Sequence, residues 1–152
     1  MTERMKKAWE FQNMNFNCAQ SVLAAFSDLT GLDDETAKKV AGGLGAGFGS
    51  SKAEACGALS GAVLVLGFVM PHVTPTCQDE KDRVYAVARE FRSRFLARFG
   101  ETGCGALLNR EHSEADWQWA QELKSRRICI VFVVEAVHML EEYLKELGVL
   151  DR

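Results

Sequence analysis

A chain of 152 residues can bury a core of its own without disulfide or metal staples, and 47% hydrophobic against 26% charged residues excludes a disordered or low-complexity protein. A formal net charge of -3 and a pI near 5.7 give no electrostatic reason to expect nucleic acid or an anionic membrane as partner. The first residues, Met1 to Lys7, lead into polar and aromatic residues and not into a short apolar run with a cleavage site, so no secretory signal is expected and the chain reads as cytoplasmic.

No alternation of apolar and polar residues lasts long enough for a strand, and the turn signals fall at helical spacing. The expected fold is all-α: one domain over residues 1–152, a compact bundle of about five to seven helices around a buried glycine-rich central helix. A first helix runs from Thr2 to Gln12 and stops at Asn13, Asn15 and Asn17. Asn17 caps the next, with Cys18 as its first residue and Gln20 completing a capping-box relative. Cys18, Val22, Phe26 and Leu29 share one face, and Gly31 ends the segment. Asp33 opens a helix whose Ala37, Val40, Ala41 and Leu44 face the core before five glycines between 42 and 49 break it.

Ser51 and Glu54 form a capping box, so the central helix is expected to start at Lys52, carry Cys56 in its second turn and reach Met70. Pro71 and Pro75 then impose a loop, and Val84, Ala88, Phe91, Phe95 and Phe99 mark a long amphipathic helix closed by Gly100. A short turn or helix follows from Cys104 to Asn109, and Ser113 with Asp116 starts a helix bearing Trp117 and Trp119. The last helix, Arg126 to Leu147, carries Cys129, Val133, Ala136, Leu140, Tyr143 and Leu147 as a narrow seam. The long helices together carry more apolar seam than one small bundle easily buries, which predicts a homodimer. The apolar runs Ala58 to Met70 and Ile128 to Val134 are shorter than the roughly 20 residues of a membrane span, so none is expected.

Five cysteines in a reducing compartment point to reversible redox chemistry or metal binding more than to structural disulfides, and the odd number leaves one bystander. The glycine loop is no nucleotide motif: no strand precedes it and no Gly-Lys-Ser/Thr follows, so it reads as a close-packed connection, with anion cradling as the lesser alternative. Ala53, Gly57 and Gly61 make a small-residue stripe that lets another backbone approach Cys56, and Lys52, Ser60 and the helix field are placed to favour a thiolate there. Cys18, at a helix start, is the other candidate thiolate. Cys56-Gly57-Ala58-Leu59 and Cys104-Gly105-Ala106-Leu107 repeat one tetrapeptide, which argues that these cysteines are more than small core residues. His138 three after Glu135, His72 near Cys77 and His112 near Cys104 read as ordinary polar positions, and the arginines from Arg83 to Arg98 as a solvated or helix-packing face.

Cys18, the CGAxxG run from Cys56 to Gly61 behind a glycine-rich loop, Cys104 and Cys129, in that order, resemble the C-GCAxxG-C-C family of redox-active proteins. The resemblance implies an all-helical domain whose four cysteines act together, often encoded near transporters and with a related domain attached to cytochromes. Cys77 falls outside the pattern and is the expected bystander. Reversible dithiol/disulfide chemistry with a thiol/disulfide or electron-transfer partner is the first reading, leaving three possible pairings among Cys18, Cys56, Cys104 and Cys129. The alternative is a non-catalytic module in which the same four cysteines hold a metal or an iron-sulfur cluster, possibly linked to a transport system. The absence of short Cys-x-x-Cys pairs counts against a zinc ribbon.

Overall fold

Thr2, Asn17, Asp33 and Ser113 each place a side-chain oxygen on a free amide at the start of a helix, so of the caps read from the sequence those at Asn17, Asp33 and Ser113 form in the folded chain. The computed structural model describes residues 1–151. In chain order these contain α1 (Glu3–Asn13), α2 (Cys18–Ala25), α3 (Ser27–Thr30), α4 (Asp34–Ala41), α5 (Gly57–Val69), α6 (Gln78–Phe99), α7 (Cys104–Asn109), α8 (Glu114–Glu122) and α9 (Cys129–Glu146). A 3-10 turn spans Gly42–Leu44, and among the described residues no strand forms beyond one isolated bridge between Ala55 and Gly103. The fold is therefore all-α, as expected. It has more helices than the five to seven anticipated, because short turns such as α3 and α7 fold as separate helices.

The centre of the bundle is α2 against α5, enclosed by α1, α4 and α9. Their close approach has a simple cause. A Cβ added to Gly61 would lie 2.8 Å from the Ala19 carbonyl oxygen and 3.0 Å from the Val22 Cβ, so only a glycine lets the two backbones meet there. Ala19, Val22, Leu23 and Phe26 on one side and Ala58, Ala62, Val65 and Leu66 on the other are buried in the resulting core.

Several expected faces differ in detail. Val40 is 46% exposed, because α4 covers the core with Ala37 and Ala41 alone. On α6 the buried residue of the first turns is Val87 and not Val84 or Ala88, while Phe91, Phe95 and Phe99 are buried as expected. The last helix is no narrow seam. Ile130, Val131, Phe132, Val134, Val137 and Leu144 are buried together with Val133, Ala136, Leu140 and Tyr143. The chain's own helices thus cover α9.

The largest correction lies between residues 45 and 56. Lys52 has φ +60°, outside any right-handed helix, and the Glu54 amide donates to the Gly47 carbonyl instead of receiving a cap from Ser51. Ser51 Oγ donates to the Gly47 carbonyl and accepts from the Ala53 amide. The central helix begins at Gly57, with Cys56 as its N-cap and the earlier glycines in the turn and loop ahead of it.

One ion cluster pins the periphery to this core. Arg98 on α6 donates to Asp116 on α8 at 2.7 Å and lies 3.4 Å from Glu135 on α9. The guanidinium holds the buried Asp116 carboxyl below the ordinary aspartate range. Arg98→Met removes the charge that both carboxylates face, and is expected to lower unfolding free energy by about 2 kcal/mol at neutral pH, discounted from a fully buried pair because Arg98 is partly exposed. A lowered folded pKa contributes stability above the unfolded value of 3.8 that is lost as pH falls through the folded one, so urea midpoints of the two proteins should converge in acid below that pH.

Candidate functional site

Four helix starts meet at one cavity. Cys18 is the first residue of α2, Cys56 the N-cap of α5, Cys104 the first residue of α7 and Cys129 the first residue of α9. All four line a single cavity of about 560 Å³, and all carry free thiols.

Local sequence explains each placement. The Asn17 side chain accepts from the Gln20 amide at 2.9 Å, while Gln20 Oε1 accepts from the Asn17 amide, closing a capping box that orients Cys18. Asn17 Nδ2 also donates to the Gly42 carbonyl, and a Cβ on Gly45 would collide with the Asn17 side chain, so α2 and the glycine loop are seated on one another. The loop then passes through Ala46, Gly47, Phe48, Gly49 and Ser50, all at positive φ between 50° and 68°. Three of these are not glycines, and such residues cost about 1–2 kcal/mol each in this region. The conformation persists because the loop bonds to itself, the Gly49 amide donating to the Gly43 carbonyl, Ser50 to Gly45, Lys52 to Ala46 and Glu54 to Gly47, and the segment that follows it pairs with the chain before and within α7. The Cys56 amide donates to the Thr102 carbonyl at 2.8 Å, Cys104 to Glu54 at 2.9 Å and Gly105 to Lys52 at 2.9 Å.

That short antiparallel contact is what brings Cys56 and Cys104 to the same wall. The repeated Cys-Gly-Ala-Leu marks two helix starts, and the residues preceding them, Ala55 and Gly103, are the bridged pair.

A Cβ built on Gly57 would collide with the Cys18 Sγ, so this sulfur rests directly against the residue that follows Cys56. It lies within electrostatic range of each of the other three thiols. Burial drives the Cys56 thiol pKa far above its ordinary value; negative charge at Cys18 adds to this, and the amides of Ala58 and Leu59 offset only part. Burial also raises Cys104 and Cys129, opposed by Lys52 at Cys104 and by Arg127 at Cys129. This corrects two expectations. Cys56 is not a thiolate favoured by its helix, because desolvation outweighs the field of the helix start, and Lys52 acts on Cys104 instead, since the loop turns it toward α7.

The other expected residues divide. Lys52 lines the cavity and Gly57 abuts Cys18. Gly61 serves helix packing one turn away. Ser60 is half-buried outside the cavity lining, its amide donating to the Cys56 carbonyl at 3.0 Å. Ala53 lies off the helix and so leaves the stripe. Cys77 is the N-cap of α6 and is not among the residues that line the cavity. His138 and Glu135 are likewise outside, the latter paired with Arg98.

Arg110, Arg127, His112 and Trp117 also line the cavity, and their place there was not anticipated. His112 Nε2 donates to the Leu107 carbonyl at 2.7 Å, and its ring packs against Phe132 and the edge of Trp117. The only sequence signal for the two arginines is proximity: Arg127 precedes Cys129 by two positions, and Arg110 follows the helix that Cys104 begins.

As to metal, among the described residues no three His, Cys, Asp or Glu side chains are grouped closely enough to hold an ion, so the four thiols as placed do not form a ligand set. Among the same residues no helix is long and apolar enough to cross a membrane.

Comparison with family models matches residues 16–143 to the family described as "Putative redox-active protein (C_GCAxxG_C_C)". Comparisons with curated proteins and with solved structures gave no match.

Proposed function

The chain belongs to the C_GCAxxG_C_C family of redox-active proteins, and from that premise we propose that its four-cysteine cavity carries out thiol–disulfide exchange with Cys18 as the attacking sulfur and Cys56 as the resolving one. The observation that supports this assignment is the position of the Cys18 Sγ against Gly57, beside Cys56 and in electrostatic range of Cys104 and Cys129. Bridged cysteines need Cα atoms within about 7 Å, and the absence of a side chain at Gly57 is what permits such an approach.

The chemistry follows in two steps. The Cys18 thiolate attacks one sulfur of a disulfide, forming a mixed disulfide and expelling the other half as a thiolate. Cys56, deprotonated as it reacts, then attacks the Cys18 sulfur, closing a Cys18–Cys56 disulfide and releasing the second half. Two electrons pass from the protein to the substrate; the Cys56 proton goes to one departing thiolate, and the other takes from solvent the proton that Cys18 gave up on ionising. A neutral resolving thiol suits this order, because a second thiolate beside the first would be disfavoured by like charge.

Reduced protein prepared without oxygen and treated with one equivalent of a small disulfide is expected to lose two thiols, gain one internal disulfide between Cys18 and Cys56 in a peptide map, and bind no stoichiometric iron or zinc. Four cysteines that all stay reduced, or a metal at one equivalent per chain, would overturn the proposal.

A further inference from the structure

The cavity is lopsided in charge. Lys52, Arg110 and Arg127 line it and no aspartate or glutamate does, in a chain whose formal net charge is -3. Outside the cavity some cations are matched, Arg4 with Asp28 and Glu141, Lys7 with Asp34, Arg94 with Glu90 and Glu146, Arg98 with Asp116 and Glu135, while others such as Lys81, Arg83, Arg89 and Arg92 lie along the α6 face where Asp79, Asp82 and Glu90 are interleaved. None of the ion pairs among the described residues involves Lys52, Arg110 or Arg127.

Backbone charge adds to the same side. The helices α2, α5 and α9, of 8, 13 and 18 residues, all begin at this cavity, presenting the partially positive end of each. Two of the cations reach the sulfurs electrically, Lys52 at Cys104 and Arg127 at Cys129. The remaining wall mixes the apolar Phe16, Trp117 and Phe132 with uncharged polar residues such as Gln12, Asn15 and Ser50, and a volume of about 560 Å³ lies in the range of small-molecule sites.

We propose that the disulfide reduced here belongs to a small carboxylate-bearing molecule, its carboxylates held by Lys52, Arg110 and Arg127 while one of its sulfurs reaches Cys18. This rests on the thiol–disulfide reading above and names the class of its substrate. Arg110 and Arg127 offer planar forks that suit carboxylates, and the aromatic wall accommodates the carbon chain between carboxylate and sulfur. The step remains the exchange already written: the substrate S–S bond breaks, the protein S–S bond forms, and the molecule leaves as two thiols.

The test compares three disulfides with reduced protein: dithiodipropionate, which is doubly anionic, hydroxyethyl disulfide, which is neutral, and cystamine, which is doubly cationic. Each rate is divided by that of the same disulfide with mercaptoethanol, which removes intrinsic reactivity. At low salt the normalised ratio of anion to neutral is expected to be at least about 10, with the cation slowest, and to fall toward one at about 0.5 M salt. The combined variant Lys52→Asn, Arg110→Gln, Arg127→Gln is expected to lower that ratio at least about fivefold. A ratio near one, or cystamine fastest, overturns the carboxylate class while leaving the exchange chemistry standing. Failure of all three disulfides to oxidise the protein overturns both.

Discussion

Cys18→Ser is expected to slow the reaction of the reduced protein with a small disulfide by at least about 100-fold, since a hydroxyl cannot replace a thiolate as nucleophile and the remaining thiols are poor substitutes. Burial raises Cys56, Cys104 and Cys129, so each is neutral at pH 7. A raised thiol pKa means that reactive thiolate appears only as pH climbs past the ordinary value of 9.0. The residual rate of Cys18→Ser should therefore keep rising through and above that pH, which stopped-flow measurement of disulfide consumption would show. Serine is nearly the size of cysteine and the site is half-buried, so thermal unfolding of this variant should match the parent.

Cys56→Ser separates the two steps. Attack by Cys18 survives in it, but the mixed disulfide has lost its resolving partner and should accumulate, visible by intact mass as the protein plus one half of the disulfide. A Cys18→Ser protein that reacts as fast as the parent, or a Cys56→Ser protein that completes the internal disulfide, would remove the assigned roles.

Gly61→Ala is expected to lower unfolding free energy by about 2 kcal/mol, the reverse of the gain of about 1 kcal/mol that alanine brings to an unconstrained helix position. The added Cβ would sit 2.8 Å from the Ala19 carbonyl oxygen and 3.2 Å from the Ala19 Cα, atoms of a buried backbone that cannot rotate away. Gly67 lies on the same helix with nothing within 4 Å of its added Cβ, so Gly67→Ala should be neutral or stabilising and serves as the internal control. Gly57→Ala is intermediate in stability and largest in chemistry. Its methyl collides with the Cys18 sulfur and approaches the Ala19 amide at 3.1 Å, so the thiol must move off its seat. A loss of about 1 kcal/mol with at least about tenfold slower disulfide reaction is expected. Equal effects of all three alanines on stability, and none on rate, would show that the approach of α2 and α5 does not hold the site.

The sequence reading of this region failed in an informative way. Ser51-Lys52-Ala53-Glu54 has the residues of a capping box, but a cap needs the following turn to be right-handed helix, and here the Lys52 and Glu54 carbonyls accept from the distant Gly105 and Cys104 amides while the Lys52 and Glu54 amides donate back to Ala46 and Gly47. A pattern spanning four residues carries no trace of a partner fifty positions away. The caps that were read correctly, at Asn17, Asp33 and Ser113, close entirely within their own first turns. Arg110 and Arg127 escaped notice for a related reason: an exposed arginine beside a helix end looks like any solvated charge until the wall opposite it is known.

What the sequence determined by itself is therefore local or periodic: the all-helical class, the helix starts with their own caps, the Gly31, Gly100 and Gly148 stops at positive φ, and the order of four cysteines that marks the family. Gly57 and Gly61 were legible as room for a neighbour, because a missing Cβ is a property of the residue alone. Only the tertiary structure decided who the neighbour was, that α2 fills the space with Cys18 and Ala19, that a strained loop clasps α7 to set Cys56 beside Cys104, and that burial makes Cys56 a poor thiolate. Desolvation and charge depend on everything packed around a sulfur. No stretch of sequence contains that sum, and the fold supplies it.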